Sequence, residues 1–120
     1  MDCKEKFWKA LGAEPFEGWP GAWCLGCGLM VGTTQPPAAW LDPSEPEVRL
    51  EVLLNGLEKL TSGFVYEFTP GSTETGEPDD HCVSYWTGRI NPHIHCDSLR
   101  AALIAAICDV VGIEKEADHD

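Results

Sequence analysis

The stretch LEVLLNGLEKLTSGFVYEF, residues 50–68, contains the change of hydrophobic period that decides the fold. Leucines first lie at spacings of i, i+3, i+4, i+7 and i+10, at Leu50, Leu53, Leu54, Leu57 and Leu60. This spacing is typical of an amphipathic helix, which Gly63 should end. Aromatic residues then alternate with Val65 and Glu67, which is typical of a β-strand. The stretch therefore predicts a helix followed directly by a strand.

Capping patterns and apolar spacing place the other elements around that unit. Asp2 and Glu5 predict the start of a short first helix, and Asp42 is predicted to cap the leucine-rich helix. HCVSYWTGRI, residues 81–90, is rich in aromatic and β-branched residues and predicts a second strand. Asp97 should cap a last, alanine-rich helix. Helices and strands thus follow one another in one short chain.

The length of 120 residues and the 43% of hydrophobic residues fit a single globular domain. Prolines, glycines and cysteines crowd residues 13–40, so this segment is expected to be irregular apart from one short extended piece near 29–31. We expect one α+β domain over residues 1–113, with two or three helices packed on a two- to three-stranded antiparallel sheet. Residues 114–120 are predicted to form a mobile acidic tail.

The charge is the most unusual bulk property of the chain. Twenty acidic residues against eight Lys and Arg give a formal net charge of −12. Direct binding to nucleic acid is disfavoured, because it needs clustered Lys and Arg to neutralise phosphates. The same negative field attracts a protein with a basic surface, such as one whose groove holds nucleic acid. An alternative is that the acidity only keeps the protein soluble.

Three of the five tryptophans lie in the segment rich in proline and glycine, where aromatic side chains can form a partner-binding face. The alternative is that they cover the sheet or the helix ends, as aromatic residues in a small domain usually must. In the first case, acidic neighbours would surround the aromatic face. The candidate partner-binding residues are Trp19, Trp23, Trp40, Glu14, Glu17 and Asp42.

The motif WCLGCG, residues 23–28, raises the question of a metal site. A C-x-x-C turn supplies two ligands of a tetrahedral zinc site, and an extended His-x-His segment can supply two more. The candidate zinc ligands are Cys24, Cys27, His93 and His95. In one alternative, the cysteines are packing residues in a glycine turn. In another they are a redox pair, although the sequence after Cys27 cannot form the long helix that such pairs normally use.

Nucleophilic catalysis would need a cysteine within hydrogen-bond reach of a histidine. The candidates are Cys82 or Cys96 with His93 or His95. However, adjacent residues such as His95 and Cys96 should point apart on an extended chain. Asp97 is better explained as a helix cap, and Asp79 and Asp80 belong to an acidic loop. No P-loop, G-x-G-x-x-G, G-x-S-x-G or H-E-x-x-H pattern occurs, so we expect no enzymatic activity.

The order of elements after residue 38 gives the chain a resemblance to a known family. The leucine-rich helix, the aromatic strand, a strand with Tyr85 and Trp86, the connection NPHIHCD and a final LRAALIAAIC helix follow in this order. Residues 38–112 resemble the small phage-encoded ABA sandwich domain proteins. The resemblance implies two helices packed with a small antiparallel sheet, a phage or prophage origin and no general catalytic site. It assigns no functional residues and does not explain the cysteine turn.

Together these features predict a non-catalytic, acidic, phage-type accessory protein that binds and blocks a host protein, such as a nucleic-acid-binding or defence complex. The alternatives are a zinc-stabilised structural module and a sponge for a small nucleotide signal, which would use Arg89, Arg100 and the tryptophans. No cofactor other than zinc is expected.

The predicted location is the cytoplasm of an infected or lysogenic bacterial host. Neither an apolar signal region nor a run of membrane-spanning length is visible in the sequence, so no membrane partner is expected. In that compartment the six cysteines should be thiols or metal ligands rather than disulfides. The last helix is apolar nearly all round, so it should be largely buried or form a homodimer contact.

Overall fold

The computed structural model describes residues 3–112 and has the α+β fold class that the sequence predicts. Its helices are α1 (Cys3–Ala10), α2 (Leu50–Leu60) and α3 (Leu99–Val111). The first antiparallel sheet contains β1 (Glu14–Pro15), β2 (Ala22–Cys24), β3 (Met30–Thr33) and β4 (Ala39–Trp40). The second antiparallel sheet contains β5 (Gly63–Thr69), β6 (Asp80–Trp86) and β7 (His93–Cys96). In each sheet the strands lie side by side in chain order.

The helix α3 organises the hydrophobic core. It packs against α1, α2, β6 and β7, and its Leu103 and Ile107 are fully buried. Ala102 and Ala106 are equally buried, because small side chains let a helix approach its neighbours closely. On β6, Tyr85 fills the space beneath the helices. The protein is therefore α+β as predicted, but its residues 3–112 form seven strands in two antiparallel sheets where two or three strands were expected.

Residues 50–68 fold as their hydrophobic period predicts, except at the start of the helix. Two leucines of α2 are fully buried, and β5 begins at Gly63. The prediction that Asp42 caps α2 is wrong. Its carboxylate instead accepts hydrogen bonds from the backbone N–H and the hydroxyl of Ser44, which closes a local turn. The prolines of this turn keep the chain out of a helix until Leu50, where α2 begins without a side-chain cap.

The start of α3 is shifted by one residue from the prediction. Asp97 does not cap it, because the chain becomes helical only at Leu99 and the capping position falls on Ser98. The Ser98 hydroxyl accepts a hydrogen bond from the backbone N–H of Ala101 at 3.1 Å. At the other end Gly112 adopts a left-handed conformation and ends the helix, as its position in the sequence predicts.

Residues 13–40 contain all four short strands of the first sheet, whereas only one extended piece, which overlaps β3, was expected there. Gly28, with φ of +96°, closes the turn between β2 and β3. Gly32 lies opposite both Trp23 and Trp40 in the sheet, and a Cβ atom at Gly32 would collide with the Trp40 ring. The sequence prediction missed this sheet because strands of two to four residues are too short to show a period.

The segment NPHIHCD, predicted as a connection, contains the strand β7. It pairs with β6 so that His95 lies opposite Cys82 and His93 lies opposite Ser84. Directly opposed residues of an antiparallel pair point to the same face of the sheet. The two histidines therefore share one face of the second sheet, as an extended His-x-His segment predicts.

Two predictions fall outside the described residues, namely the cap at Asp2 and the acidic tail at 114–120. Within residues 3–112, no helix is both long and apolar enough to cross a membrane.

Candidate functional site

An open apolar groove lies beside β3 and β4 of the first sheet. It has a volume of about 570 Å³, and its lining includes Trp19, Met30, Pro36, Pro37, Ala39 and Trp40. The described residues that line it carry no charge. Trp19 is 63% exposed at the groove. An exposed aromatic side chain beside an apolar groove is the kind of surface that binds other molecules.

The three candidate tryptophans have different surroundings. Trp23 and Trp40 pack against each other across β3, with ring centroids 6.1 Å apart, and both contact the hydrophobic core. The Lys9 ammonium lies 4.5 Å from the centroid of the Trp23 ring, which is a cation–π contact. Trp19 and Trp40 line the groove. The structure thus brings two of the three to one surface and assigns Trp23 to packing between α1 and the first sheet.

The three candidate acidic residues also differ. Glu14 and Glu17 are exposed and line a hollow of about 460 Å³ in the first sheet, next to Phe16. The hydrogen bonds from the Ser44 backbone N–H, and then from its hydroxyl, lower the pKa of the Asp42 carboxyl below its usual value. Asp42 therefore stabilises a turn, whereas the two glutamates keep their carboxylates at the surface.

The cysteine turn connects β2 to β3. Cys24 is the last residue of β2, and Cys27 lies in the turn that the Gly28 N–H closes by donating to the Leu25 carbonyl at 2.9 Å. Cys24 lines the hollow that contains the two glutamates, whereas Cys27 is exposed and lines hollows next to α2. Both are free thiols.

The other two candidate zinc ligands lie elsewhere in the fold. His93 and His95 belong to the second sheet, where they face side chains of β6 rather than the cysteine turn. Within the part of the chain that the structure describes, no group of three or more His, Cys, Asp and Glu side chains is arranged to hold a metal ion. The zinc site stays a prediction.

A set of polar side chains lies on one face of the second sheet, connected through the 3.8 Å contact between Cys82 Sγ and the Ser84 hydroxyl oxygen. Asp80, Cys82 and Ser84 alternate along β6, and His93 and His95 lie opposite them on β7. His95 Nδ1 lies 2.9 Å from Asp80 Oδ2, and His95 Nε2 lies 3.8 Å from Cys82 Sγ. His93 Nδ1 lies 2.6 Å from the Ser84 hydroxyl oxygen. We call these five residues the polar face.

The contacts of His95 define its tautomer. An ionised carboxylate can only accept hydrogen bonds, so Nδ1 carries the proton that it donates to Asp80. In the neutral imidazole, Nε2 is then left with a lone pair, and this lone pair is within reach of the Cys82 thiol. The arrangement is a thiol beside a base whose orientation is fixed by a carboxylate.

The opposite face of the second sheet belongs to the core. The hydroxyl of the buried Tyr85 donates a hydrogen bond to Asp109 Oδ2 on α3. Burial, together with this hydrogen bond and the negative charge of Asp109, raises the pKa of Tyr85 above its ordinary range. The pair therefore fixes α3 against β6.

The two arginines that a nucleotide sponge would use have different surroundings. Arg100 donates hydrogen bonds to the backbone carbonyls of Val48 and Glu45, which ties α3 to the turn before α2. Arg89 is exposed in the short turn after β6. Arg100 therefore has a structural use that the sequence did not indicate.

The sequence prediction named Cys82 and His95 as one possible pair and set Asp80 aside as a loop residue. The structure instead makes Asp80 the first residue of β6, because it pairs with Thr69 of β5. The sequence does contain a signal for this arrangement, namely the alternation D-x-C-x-S at 80–84 together with H-x-H at 93–95. Two such segments place their polar side chains on one face once they pair as neighbouring strands.

Comparison with known proteins adds no relative: no family model, curated protein or solved structure matches the chain significantly. The resemblance to the phage-encoded ABA sandwich domain proteins therefore stays an expectation.

Proposed function

We propose that this protein is an acidic binding protein whose groove receives an apolar side chain of a basic partner protein. The observation that carries the proposal is the 63% exposure of Trp19 beside a groove of about 570 Å³. Tryptophan is enriched among the residues that dominate binding energies, because it offers a large apolar area together with few rotatable bonds. Met30 and Trp40 extend the apolar area around it.

The charge of the chain supports a basic partner. A net charge of −12 produces a negative field that accelerates association with a positive surface and repels acidic proteins and nucleic acids. Glu14 on β1 and Glu17 in the turn that follows it are exposed, and they are available to Lys or Arg side chains at the rim of such an interface.

The chemistry of the partner follows from these two features. A protein that binds nucleic acid combines a basic groove with aromatic or apolar side chains that stack on bases. An acidic protein that presents Trp19 can occupy such a groove and exclude the nucleic acid. In this proposal, blocking of a nucleic-acid-binding protein is the biological effect, in line with the accessory role predicted from the sequence.

A selection from a displayed library of random peptides tests the proposal without a known partner. We expect the enriched peptides to carry an aromatic or leucine residue flanked by Lys and Arg. Their dissociation constants should rise with salt, because the Debye length is about 10 Å at 0.1 M ionic strength. In Trp19→Ala the dissociation constant should rise by about 30-fold, the equivalent of losing about 2 kcal/mol.

The matched control is Ile90→Ala, since Ile90 is an apolar residue of equal exposure, 64%, on the second sheet's connecting turn. This variant should bind the selected peptides as the wild type does. The proposal is overturned if no peptide is enriched at low salt, if the enriched peptides lack basic residues, or if Trp19→Ala and Ile90→Ala bind equally well.

A further inference from the structure

The polar face of the second sheet has the arrangement of a covalent catalyst. We propose that Cys82, His95 and Asp80 form a nucleophilic thiol site that accepts small acyl groups from neutral or cationic activated esters. This inference does not depend on the groove, and it replaces the expectation of a protein without catalytic residues. The expectation was based on the absence of sequence motifs and on assigning Asp80 to a loop.

The geometry supplies a nucleophile, a base and a carboxylate that orients the base. A cysteine reacts as its thiolate, so a base must take the proton from Sγ. His95 Nε2 lies 3.8 Å from Cys82 Sγ and has the free lone pair. Asp80 holds the imidazole by accepting from Nδ1 at 2.9 Å and stabilises the positive charge that forms on the ring. The three side chains project from neighbouring strands, which fixes their separation.

The reaction balances without any oxidant or reductant. His95 Nε2 takes the proton of the Cys82 thiol as Sγ forms a bond to the ester carbonyl carbon. The bond from that carbon to the leaving oxygen then breaks, and the leaving group takes the proton from His95. This yields an S-acylated Cys82 and a free alcohol. Water then adds to the carbonyl carbon and gives a proton to His95. The carbon–sulfur bond breaks to release a carboxylic acid, and His95 returns the proton to Sγ, which restores the thiol.

The surroundings of Cys82 define the class of acyl donor. Glu67 lies opposite Cys82 on β5 and, with Asp80, places negative charge on this face. Anionic donors are therefore repelled, as they are by the −12 charge of the whole chain. Val65, opposite Ser84 and exposed on the same face, offers apolar contact to an acyl chain. Because Cys82 is only 8% exposed, the acyl group must be small.

The two partners of Cys82 have different roles. His95 is a catalytic residue, because it exchanges a proton with the reacting sulfur. Asp80 is a positioning residue, since it acts through His95. Both side chains are accessible, at 60% exposure for His95 and 40% for Asp80, so substitutions there should leave the fold intact.

Site-resolved acylation by p-nitrophenyl acetate tests the proposal within one molecule. The native protein is treated briefly, digested under acidic conditions, and the acetyl group on each cysteine is quantified by mass spectrometry. If accessibility alone controlled the reaction, the exposed Cys27 would react faster than the buried Cys82. We expect the reverse order, because Cys27 lies in the first sheet's turn whereas His95 adjoins Cys82.

The matched variants separate base catalysis from structure. His95→Gln should slow acylation of Cys82 by about 100-fold, the low end of general-base contributions, and leave Cys27 unchanged. His81→Gln is the control, since His81 lies on the same strand as Cys82 but contacts Tyr66 on the opposite face of the sheet. Asp80→Asn should slow Cys82 acylation less, and Asp80→Glu should restore it.

Three results would overturn the proposal: acylation of Cys82 slower than that of Cys27 in the wild type, an unchanged Cys82 rate in His95→Gln, or an equal loss in His81→Gln. The melting temperature of each variant, measured alongside, shows whether a lower rate reflects unfolding.

Discussion

The two sheets present opposite kinds of surface. In the first sheet, Trp19 and the groove beside it are apolar and exposed, and the described lining residues carry no charge. In the second sheet, the exposed face is polar, and its histidines, thiol, hydroxyl and carboxylate contact one another. An apolar surface gains free energy when a partner covers it. A connected polar surface instead satisfies hydrogen bonds among its own groups.

The sheets also differ in how they are supported. The second sheet has strands of seven residues in β5 and β6 and is packed against α3. The strands of the first sheet have two to four residues, and contacts with α1 tie it to the core. One such contact is the hydrogen bond from Trp8 Nε1 to the Leu41 carbonyl at 2.7 Å. The first sheet should therefore be easier to perturb without affecting the second.

The largest expected effect is that of filling the space at Gly32. Gly32→Val puts side-chain atoms where the Trp40 ring lies, which should destabilise the protein by about 1–3 kcal/mol. Chemical denaturation followed by tryptophan fluorescence measures this loss. Gly26→Val is the matched control, because a Cβ at Gly26 meets no atom within 4 Å. Equal stability of the two variants would contradict the packing described for the first sheet.

A somewhat smaller effect is expected in the core of the second sheet. Tyr85→Phe removes the hydrogen bond to Asp109 and should cost about 1–2 kcal/mol of the free energy of unfolding at neutral pH. The raised pKa of Tyr85 means that this contribution is complete below the ordinary tyrosine pKa of about 10 and declines as the pH rises above it.

The pH dependence gives the test of that prediction. Denaturation of wild type and Tyr85→Phe at pH 7 and at pH values above about 10 should show a stability difference that shrinks at the higher pH. A difference that grows with alkaline pH would mean that the ionised tyrosine, rather than the neutral one, is favoured in the fold.

Sequence reasoning succeeded where burial is periodic. The leucines of α2 and the alanine-rich α3 repeat their apolar residues over three turns or more, so tertiary packing and local pattern agree. It failed at Asp42, which closes a turn, and at Asp97, which is the residue before the observed cap Ser98. Capping is decided by a single hydrogen bond, and several nearby residues can provide it.

The candidate sites were harder to predict from the sequence than the helices. Trp19 is a candidate binding residue from its position in a segment rich in proline and glycine, but the groove beside it depends on the pairing of β3 with β4, which the sequence does not predict. Cys82 and His95 were named as possible partners, but their pairing depends on the register of β6 and β7. Strand register is a tertiary property, and a shift of one residue would turn Cys82 to the other face.

A modest effect is expected at the turn before α2. Asp42→Ala removes the two hydrogen bonds from Ser44 and should cost about 0.5–1 kcal/mol at neutral pH. Because the pKa of Asp42 is lowered in the fold, its contribution is present above the ordinary value of 3.8 and is lost as the pH falls below it.

Thermal unfolding of wild type and Asp42→Ala at neutral pH and near pH 3 measures how much Asp42 contributes to stability at each pH. The two melting temperatures should differ at neutral pH and converge in acid. A difference that persists unchanged in acid would show that Asp42 acts through packing and not through its charge.

The smallest effect is expected from removal of metal. Because the two histidines face β6 in the second sheet and not the cysteine turn, a chelator should leave the melting temperature unchanged. Elemental analysis of the untreated protein and of Cys24→Ser accompanies the measurement. Stoichiometric zinc that is lost in Cys24→Ser, with a lower melting temperature in chelator, would instead establish the zinc site predicted from the sequence.

The proposed binding of a basic partner in the groove at Trp19 can be observed residue by residue. The most direct measurement follows the indole N–H signals of the five tryptophans in a ¹⁵N-labelled sample as a selected basic peptide is added. We predict that the Trp19 and Trp40 signals shift, while those of Trp8, whose indole is hydrogen-bonded in the core, and of Trp86 on the second sheet stay in place. A shift of Trp86 with an unmoved Trp19 signal would contradict the account.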